Sequence, residues 1–199
     1  MRLSICTLFI ALLMMGCSST TPSINEYTLL SSRNTPDAHL PLTPKTLNIA
    51  PPKALSSLNS KSILYLRNDT ESGNYLYSRW SDTPAALIQR SLIHSLQNDN
   101  LFSSVSPTSS LSQSDWLVES DLDAFYHRFV EDRSEGYIDI TYRLINPKTK
   151  QIIASKRFTI TTPAHSNDAI GGVDALKHAL LELNIQCSAW LTTLIKENQ

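Results

Sequence analysis

Residues 116–127 read Trp116-Leu117-Val118-Glu119-Ser120-Asp121-Leu122-Asp123-Ala124-Phe125-Tyr126-His127. The pattern repeats every second residue, which is typical of a β-strand with one buried face. The predicted inner face comprises Trp116, Val118, Ser120, Leu122, Ala124 and Tyr126, and the opposite face includes Glu119, Asp121, Asp123 and His127. The sequence therefore predicts a long strand here, with one side in the core.

Two more strands are expected directly after this one, because the alternation resumes twice. A charged tip spans 130–136, and a turn rich in polar residues spans Asn146 to Lys150. The predicted inner positions are Ile138, Ile140, Tyr142 and Leu144 in one strand, and Ile152, Ala154, Phe158 and Ile160 in the next. The three strands together predict an antiparallel meander.

Two amphipathic helices are predicted from apolar residues that recur at spacings of three and four. Asp82 or Thr83 can cap the first helix, and Pro84 suits its first turn because no N–H is needed there. The first apolar face comprises Leu87, Ile88, Leu92, Ile93 and Leu96; the second, after Pro163, comprises Val173, Leu176, Leu180, Leu183, Cys187, Trp190, Leu191 and Leu194. We predict a two-layer α+β domain in which both helices cover a mostly antiparallel sheet.

Shorter strands are expected earlier in the chain. Alternation or β-prone composition marks 47–50, 62–66 and 74–79, with turn-rich residues between the last two. The short piece Tyr27-Thr28-Leu29-Leu30 interrupts a segment rich in Ser, Thr, Pro and Asn, and we expect it to pair at a sheet edge.

The first residues have the pattern of a secretory signal peptide. Arg2 precedes an apolar run from Leu3 to Met15, and Gly16 and Cys17 close it. The run is shorter than the roughly 20 residues that a transmembrane helix needs. We predict a signal peptide over 1–16, a lipidated cysteine and tether over 17–44, and the folded domain over 45–199.

Leu13-Met14-Met15-Gly16-Cys17 resembles the lipobox of bacterial lipoproteins. That resemblance implies acylation of Cys17 after cleavage before it; the alternative is a plain signal peptide whose cysteine is incidental. Several acyl chains would hold the protein stably on a membrane. By resemblance to lipoprotein sorting in Gram-negative bacteria, Ser18 favours the outer membrane.

The composition excludes several functional classes. The formal net charge is −1, with no basic patch of the kind that binds nucleic acid. The histidines lack metal-site spacing, no nucleotide-binding or hydrolase motif is present, and no cofactor is expected. Asp121 and Asp123 fit a solvated strand face, Gly171-Gly172 fits the start of a helix, and Cys187 fits a small buried residue. The sequence predicts a protein that is not an enzyme.

Five motifs in order resemble a known family. They are Tyr27-x-Leu29-Leu30, a strand ending at Pro51, Ile63-x-Tyr65, Tyr75-x-Tyr77-x-x-Trp80-x-x-x-Pro84 and Asp115-Trp116-Leu117-Val118. Together with the lipobox, this order is similar to the ABC-type transport auxiliary lipoproteins, also called PqiC-like lipoproteins.

This resemblance implies a non-catalytic subunit of a system that moves lipid between the inner and outer membranes. The implied partners are an MCE-domain protein and an inner-membrane permease, with the domain facing the periplasm, and a homo-oligomer is left open. Tyr75, Tyr77 and Trp80 are candidate interface residues; the alternative is that they pack as core over the first helix. The alternative function is an envelope assembly or structural lipoprotein that binds peptidoglycan or an outer-membrane protein.

Overall fold

Residues 22–29, 40–68, 70–110 and 113–197 are described by this computed structural model. The strands are β1 (Asn25–Tyr27), β2 (Thr43–Ile49), β3 (Lys53–Ala54), β4 (Ser62–Arg67), β5 (Glu71–Trp80), β6 (Phe102–Pro107), β7 (Trp116–Val130), β8 (Arg133–Asn146) and β9 (Gln151–Pro163). The helices are α1 (Pro84–Asn98) and α2 (Ala169–Glu197), with a short 3-10 helix at Ser56–Leu58. The predicted signal peptide and Cys17 lie outside the described residues.

The predicted meander is confirmed. Strands β7 and β8 pair antiparallel, as do β8 and β9, with Val118 opposite Leu144 and Ile140 opposite Phe158. The tip between β7 and β8 is shorter than expected, because both strands extend into the predicted 130–136 segment. Glu131 turns the chain there with a φ of 53°.

A β-bulge in β7 corrects the predicted faces of Tyr126 and His127. The register shifts between Leu122 and Ala124, so Asp123 is an extra residue in the strand. One extra residue exchanges the two faces for everything beyond it. His127 is therefore fully buried, whereas the sequence analysis placed it on the solvent face, and Tyr126 is only partly buried.

A second register shift, between β8 and β9, makes the predicted inner position of Ile152 wrong. Leu144 pairs with Ala154 and Ile145 pairs with Ile152, so Ile153 is the unpaired residue. Ile152 is 59% exposed, and Ile153 packs against the core instead.

The sheet is mixed, which corrects the expectation of a mostly antiparallel one. Its main path runs β1-β5-β4-β7-β2-β6, with β3 and β8 also on β7 and β9 on β8. The pairs β1–β5, β2–β6, β2–β7, β3–β7 and β4–β7 are parallel. Parallel neighbours require crossover connections, and α1 supplies part of the connection that leads to β6. The short alternating segments do not encode these directions.

The α+β class is confirmed, and both helices bury their predicted apolar faces except that Trp190 and Leu194 on α2 are only partly buried. Helix α2 packs on β7, β8, β9 and α1, while α1 also packs on β6. Between the helices, the Asn184 side-chain amide donates to Ser91 Oγ over 2.8 Å in the interior. Within the described ranges, neither helix is long and apolar enough to cross a membrane.

Candidate functional site

The aromatic segment before α1 is where the sequence places a partner interface, and the structure separates its three residues. Trp80 is fully buried, and its ring meets Phe125 edge-on with centroids 5.7 Å apart. Its backbone N–H donates to Lys61 O over 2.7 Å. Trp80 is therefore a core residue that ties β5 to its neighbours, in line with the alternative interpretation.

The start of α1 is built as its sequence indicates. Thr83 is the N-cap: its side-chain oxygen accepts from Ala86 N over 3.4 Å, and Pro84 opens the first turn. Asp82 Oδ1 accepts from Thr83 N over 2.8 Å, so both candidate caps hold this junction. The helix start fixes the end of β5, and with it the position of the aromatic segment.

Tyr75 points inward to a buried histidine that the sequence analysis did not place there. The Tyr75 hydroxyl lies 2.7 Å from His127 Nδ1, and the two rings stack with centroids 6.2 Å apart. Burial lowers the pKa of His127 to about 4 and raises the pKa of Tyr75 to about 12. Both groups are neutral at pH 7, so the hydrogen bond joins an uncharged phenol to an uncharged imidazole.

Helix α2 packs directly against the His127 ring at Gly172. A Cβ at Gly172 would lie 2.5 Å from His127 Nδ1, so only glycine lets the helix rest on the ring. His127 Nε2 is buried with no hydrogen-bond partner within the described part of the chain. The predicted role of Gly171-Gly172 as a helix start is confirmed, because α2 begins at Ala169.

The signal for this buried histidine was present in the sequence. Phe125 is a large apolar residue on the face that alternation assigns to solvent, directly after Ala124 on the inner face. Two neighbouring apolar residues in an alternating strand indicate a bulge. Placing that bulge before Phe125 would have turned His127 inward.

Tyr77 differs from its two aromatic neighbours because it is 54% exposed. Strand β5 bulges here: Ser62 pairs with Arg79 and Leu64 with Asn74, so Ile63 alone faces the four residues 75–78. The bulge also turns out Leu76, which is 74% exposed. No periodic signal in the sequence marks Leu76, so its exposure was not predicted.

The Asp115-Trp116 motif has a structural role in this geometry. Asp115 Oδ2 accepts from Thr46 N over 3.0 Å and from Thr46 Oγ1 over 3.1 Å. These hydrogen bonds lower the pKa of Asp115 and join β7 to β2. Trp116 stands buried at the start of β7, edge-on to Phe102.

No metal site is assembled among the residues with described positions. No three His, Cys, Asp or Glu side chains come together there as a metal site would require. On the outer sheet face, Asp121 forms an ion pair with Arg143, and Asp139 with Arg157. Cys187 is a free thiol that is fully buried, as predicted. Burial raises its pKa to about 12, so it is an unreactive thiol at pH 7.

A surface pocket of about 310 Å³ lies between β4, β5 and the 3-10 helix. Leu55, Leu58, Leu64 and Leu66 supply most of its apolar lining, and Asp123 is its charged residue. Asp123 is exposed, so the pocket does not hold a desolvated catalytic group.

Comparison with known proteins identifies the relatives of this chain. The family model described as "ABC-type transport auxiliary lipoprotein component" matches residues 27–187. Among curated proteins, none matches.

Solved structures of similar fold come from several bacteria. A Xanthomonas campestris protein has a TM-score of 0.76 at 19% identity, covering 89% of this chain and 99% of its own. A hypothetical Chlamydia trachomatis protein has a TM-score of 0.55 at 8% identity, covering 77% and 98%. A homolog of a neuraminyllactose-binding hemagglutinin from Helicobacter pylori has a TM-score of 0.50 at 12% identity, covering 86% and 97%. At these identities the likeness shows the fold alone.

Proposed function

This chain belongs to the family of ABC-type transport auxiliary lipoprotein components, and from that membership we propose that it is a non-catalytic subunit of an MCE-type lipid transport system. In this proposal Cys17 carries the lipid anchor, the anchor lies in the outer membrane, and the domain faces the periplasm. The domain docks the periplasmic MCE assembly. An inner-membrane permease complex either passes lipid to that assembly or takes lipid from it.

The single observation that carries the proposal is the family match over residues 27–187. It covers β2 to β9, all of α1 and α2 as far as Cys187, so the relationship extends through most of the described domain. The transport role in the family's description is therefore assigned to the entire domain and not to one motif.

The burial of the Tyr75–His127 pair fits a non-catalytic role. Tyr75 and His127 are neutral at pH 7 and hydrogen-bond to each other, and α2 closes over the ring at Gly172. A general acid or base must reach its substrate within hydrogen-bond distance. His127 is fully buried, so it offers no such contact.

Affinity purification from intact cells tests the proposal. The tagged full-length chain is crosslinked mildly in growing cells, purified from the membrane fraction and analysed by mass spectrometry. We expect recovery of an MCE-domain protein and a permease. The matched control is Cys17→Ser, which removes the acceptor thiol and should lose both the lipid and the outer-membrane fractionation.

Two results would count against the proposal. Recovery of peptidoglycan fragments or an unrelated outer-membrane protein, with no MCE protein, would favour the envelope-assembly alternative. Wild-type and Cys17→Ser chains that fractionate identically would contradict the anchor.

A further inference from the structure

An exposed apolar patch lies at the edge of the sheet, formed by Ile24, Leu76 and Tyr77, which we name the β5 patch. Their exposed fractions are 54%, 74% and 54%. Ile24 directly precedes Asn25, which pairs with Ser78, so all three residues lie at the same end of the β1–β5 pairing. Single exposed apolar residues are ordinary, whereas neighbouring ones at one edge indicate a contact surface.

The direction of β1 shows where the anchor enters the fold. Strand β1 runs parallel to β5, with Asn25 opposite Ser78 and Tyr27 opposite Trp80. The chain therefore reaches its first strand beside the β5 patch. Ile24 follows Cys17 by seven residues. An extended chain spans at most about 3.5 Å per residue, so seven residues can separate Cys17 from the patch by no more than about 25 Å.

The chemistry of the patch suits the boundary between water and lipid. Leucine and isoleucine gain by leaving water, and tyrosine is enriched at membrane interfaces because its ring is apolar and its hydroxyl is polar. The nearest charges on the paired strands are matched, since Arg79 and Glu26 form an ion pair at 2.9 Å. A tether this short also keeps the patch close to the bilayer, so the effective concentration of lipid surface at the patch is high.

We propose that the β5 patch rests on the surface of the bilayer that holds the lipid anchor, and so orients the domain. The proposal rests on the anchor at Cys17 that the proposed function assigns. It gives Tyr77 a lipid surface as its neighbour, in place of the protein partner that the sequence analysis considered.

Fluorescence quenching by lipid tests this contact. The full mature lipoprotein is reconstituted into vesicles of phosphatidylethanolamine and phosphatidylglycerol, with an environment-sensitive fluorophore on Leu76→Cys. The matched control carries the fluorophore on Ile185→Cys, because Ile185 is also exposed, at 63%, but lies on α2. Cys187 is fully buried and stays unlabelled.

We expect lipids with a nitroxide near the headgroup to quench the fluorophore at position 76 strongly and that at position 185 weakly. Adding Tyr77→Glu should reduce the quenching at position 76, because a charge resists burial. Equal quenching at the two positions would overturn the proposal. A fluorophore at position 76 that is shielded from water only after the transport partners are added would also overturn it, because a protein would then cover the patch.

Flotation of the same vesicles separates the two proposals. If the protein floats but the fluorophore at position 76 is not quenched, the anchor is present and only the membrane contact is refuted. A protein that does not float lacks the anchor, which overturns both.

Discussion

Acid should destabilise the domain through His127, in a pH range set by its burial. The ordinary pKa of 6.5 falls to about 4 in the fold, so between these values the unfolded chain binds the proton more tightly. Neutral His127 makes its full contribution to the free energy of unfolding above pH 6.5, and this contribution is lost as the pH falls toward 4. Nearby Asp168 opposes this shift and Arg67 adds to it, but desolvation dominates.

The magnitude follows from the two pKa values. A tenfold difference in proton affinity is worth about 1.4 kcal/mol, so full protonation of His127 lowers the free energy of unfolding by about 3 kcal/mol. About 2 kcal/mol of this loss falls between pH 7 and pH 5. Folded domains have only about 5–15 kcal/mol of stability, so this loss is measurable.

Urea unfolding at pH 7 and pH 5, followed by tryptophan fluorescence at constant ionic strength, measures the loss. The control is His127→Gln, whose amide can still hydrogen-bond with Tyr75 but does not titrate in this range. We expect the wild-type protein to lose about 2 kcal/mol more than this variant between the two pH values. Parallel losses in the two proteins, or a wild-type protein more stable at pH 5, would refute the reasoning.

Three further predictions concern single contacts. Tyr75→Phe leaves His127 Nδ1 buried without its hydrogen-bond partner and should cost about 1–3 kcal/mol in urea unfolding; no loss would mean the bond is not made. Gly136→Ala would place a Cβ 2.5 Å from the Ala175 backbone carbon, and the resulting overpacking should cost about 1–3 kcal/mol, seen as a lower melting temperature; an unchanged value would contradict this close packing. Thr83→Ala removes the cap of α1 and should cost about 1 kcal/mol, whereas Thr83→Ser should restore most of it; equal stability of the two variants would argue against a capping role.

The features that depend on local chemistry were predictable from the sequence. Thr83 and Pro84 signal the start of α1 because one supplies a cap and the other needs no donor. The meander was predictable because period-two alternation is long there and turns separate its strands. A strand at the sheet edge was also predicted, but two residues too late: β1 is Asn25–Tyr27 and shares only Tyr27 with the predicted segment Tyr27 to Leu30.

The remaining features depend on contacts between distant residues. The parallel direction of β2 and β4 against β7 follows from how the chain crosses over, which short strands do not encode. The bulge at Asp123 shifts the face of every later residue in β7, so alternation alone placed His127 in solvent. The exposure of Leu76 likewise depends on a register shift against Ile63.

Mass spectrometry of the amino-terminal peptide of the native protein tests the lipid anchor directly. We expect the mature chain to begin at Cys17 and this residue to carry the mass of a diacylglyceryl group and an amide-linked acyl chain. A mature chain that begins elsewhere, or an unmodified thiol at Cys17, would contradict the lipoprotein assignment.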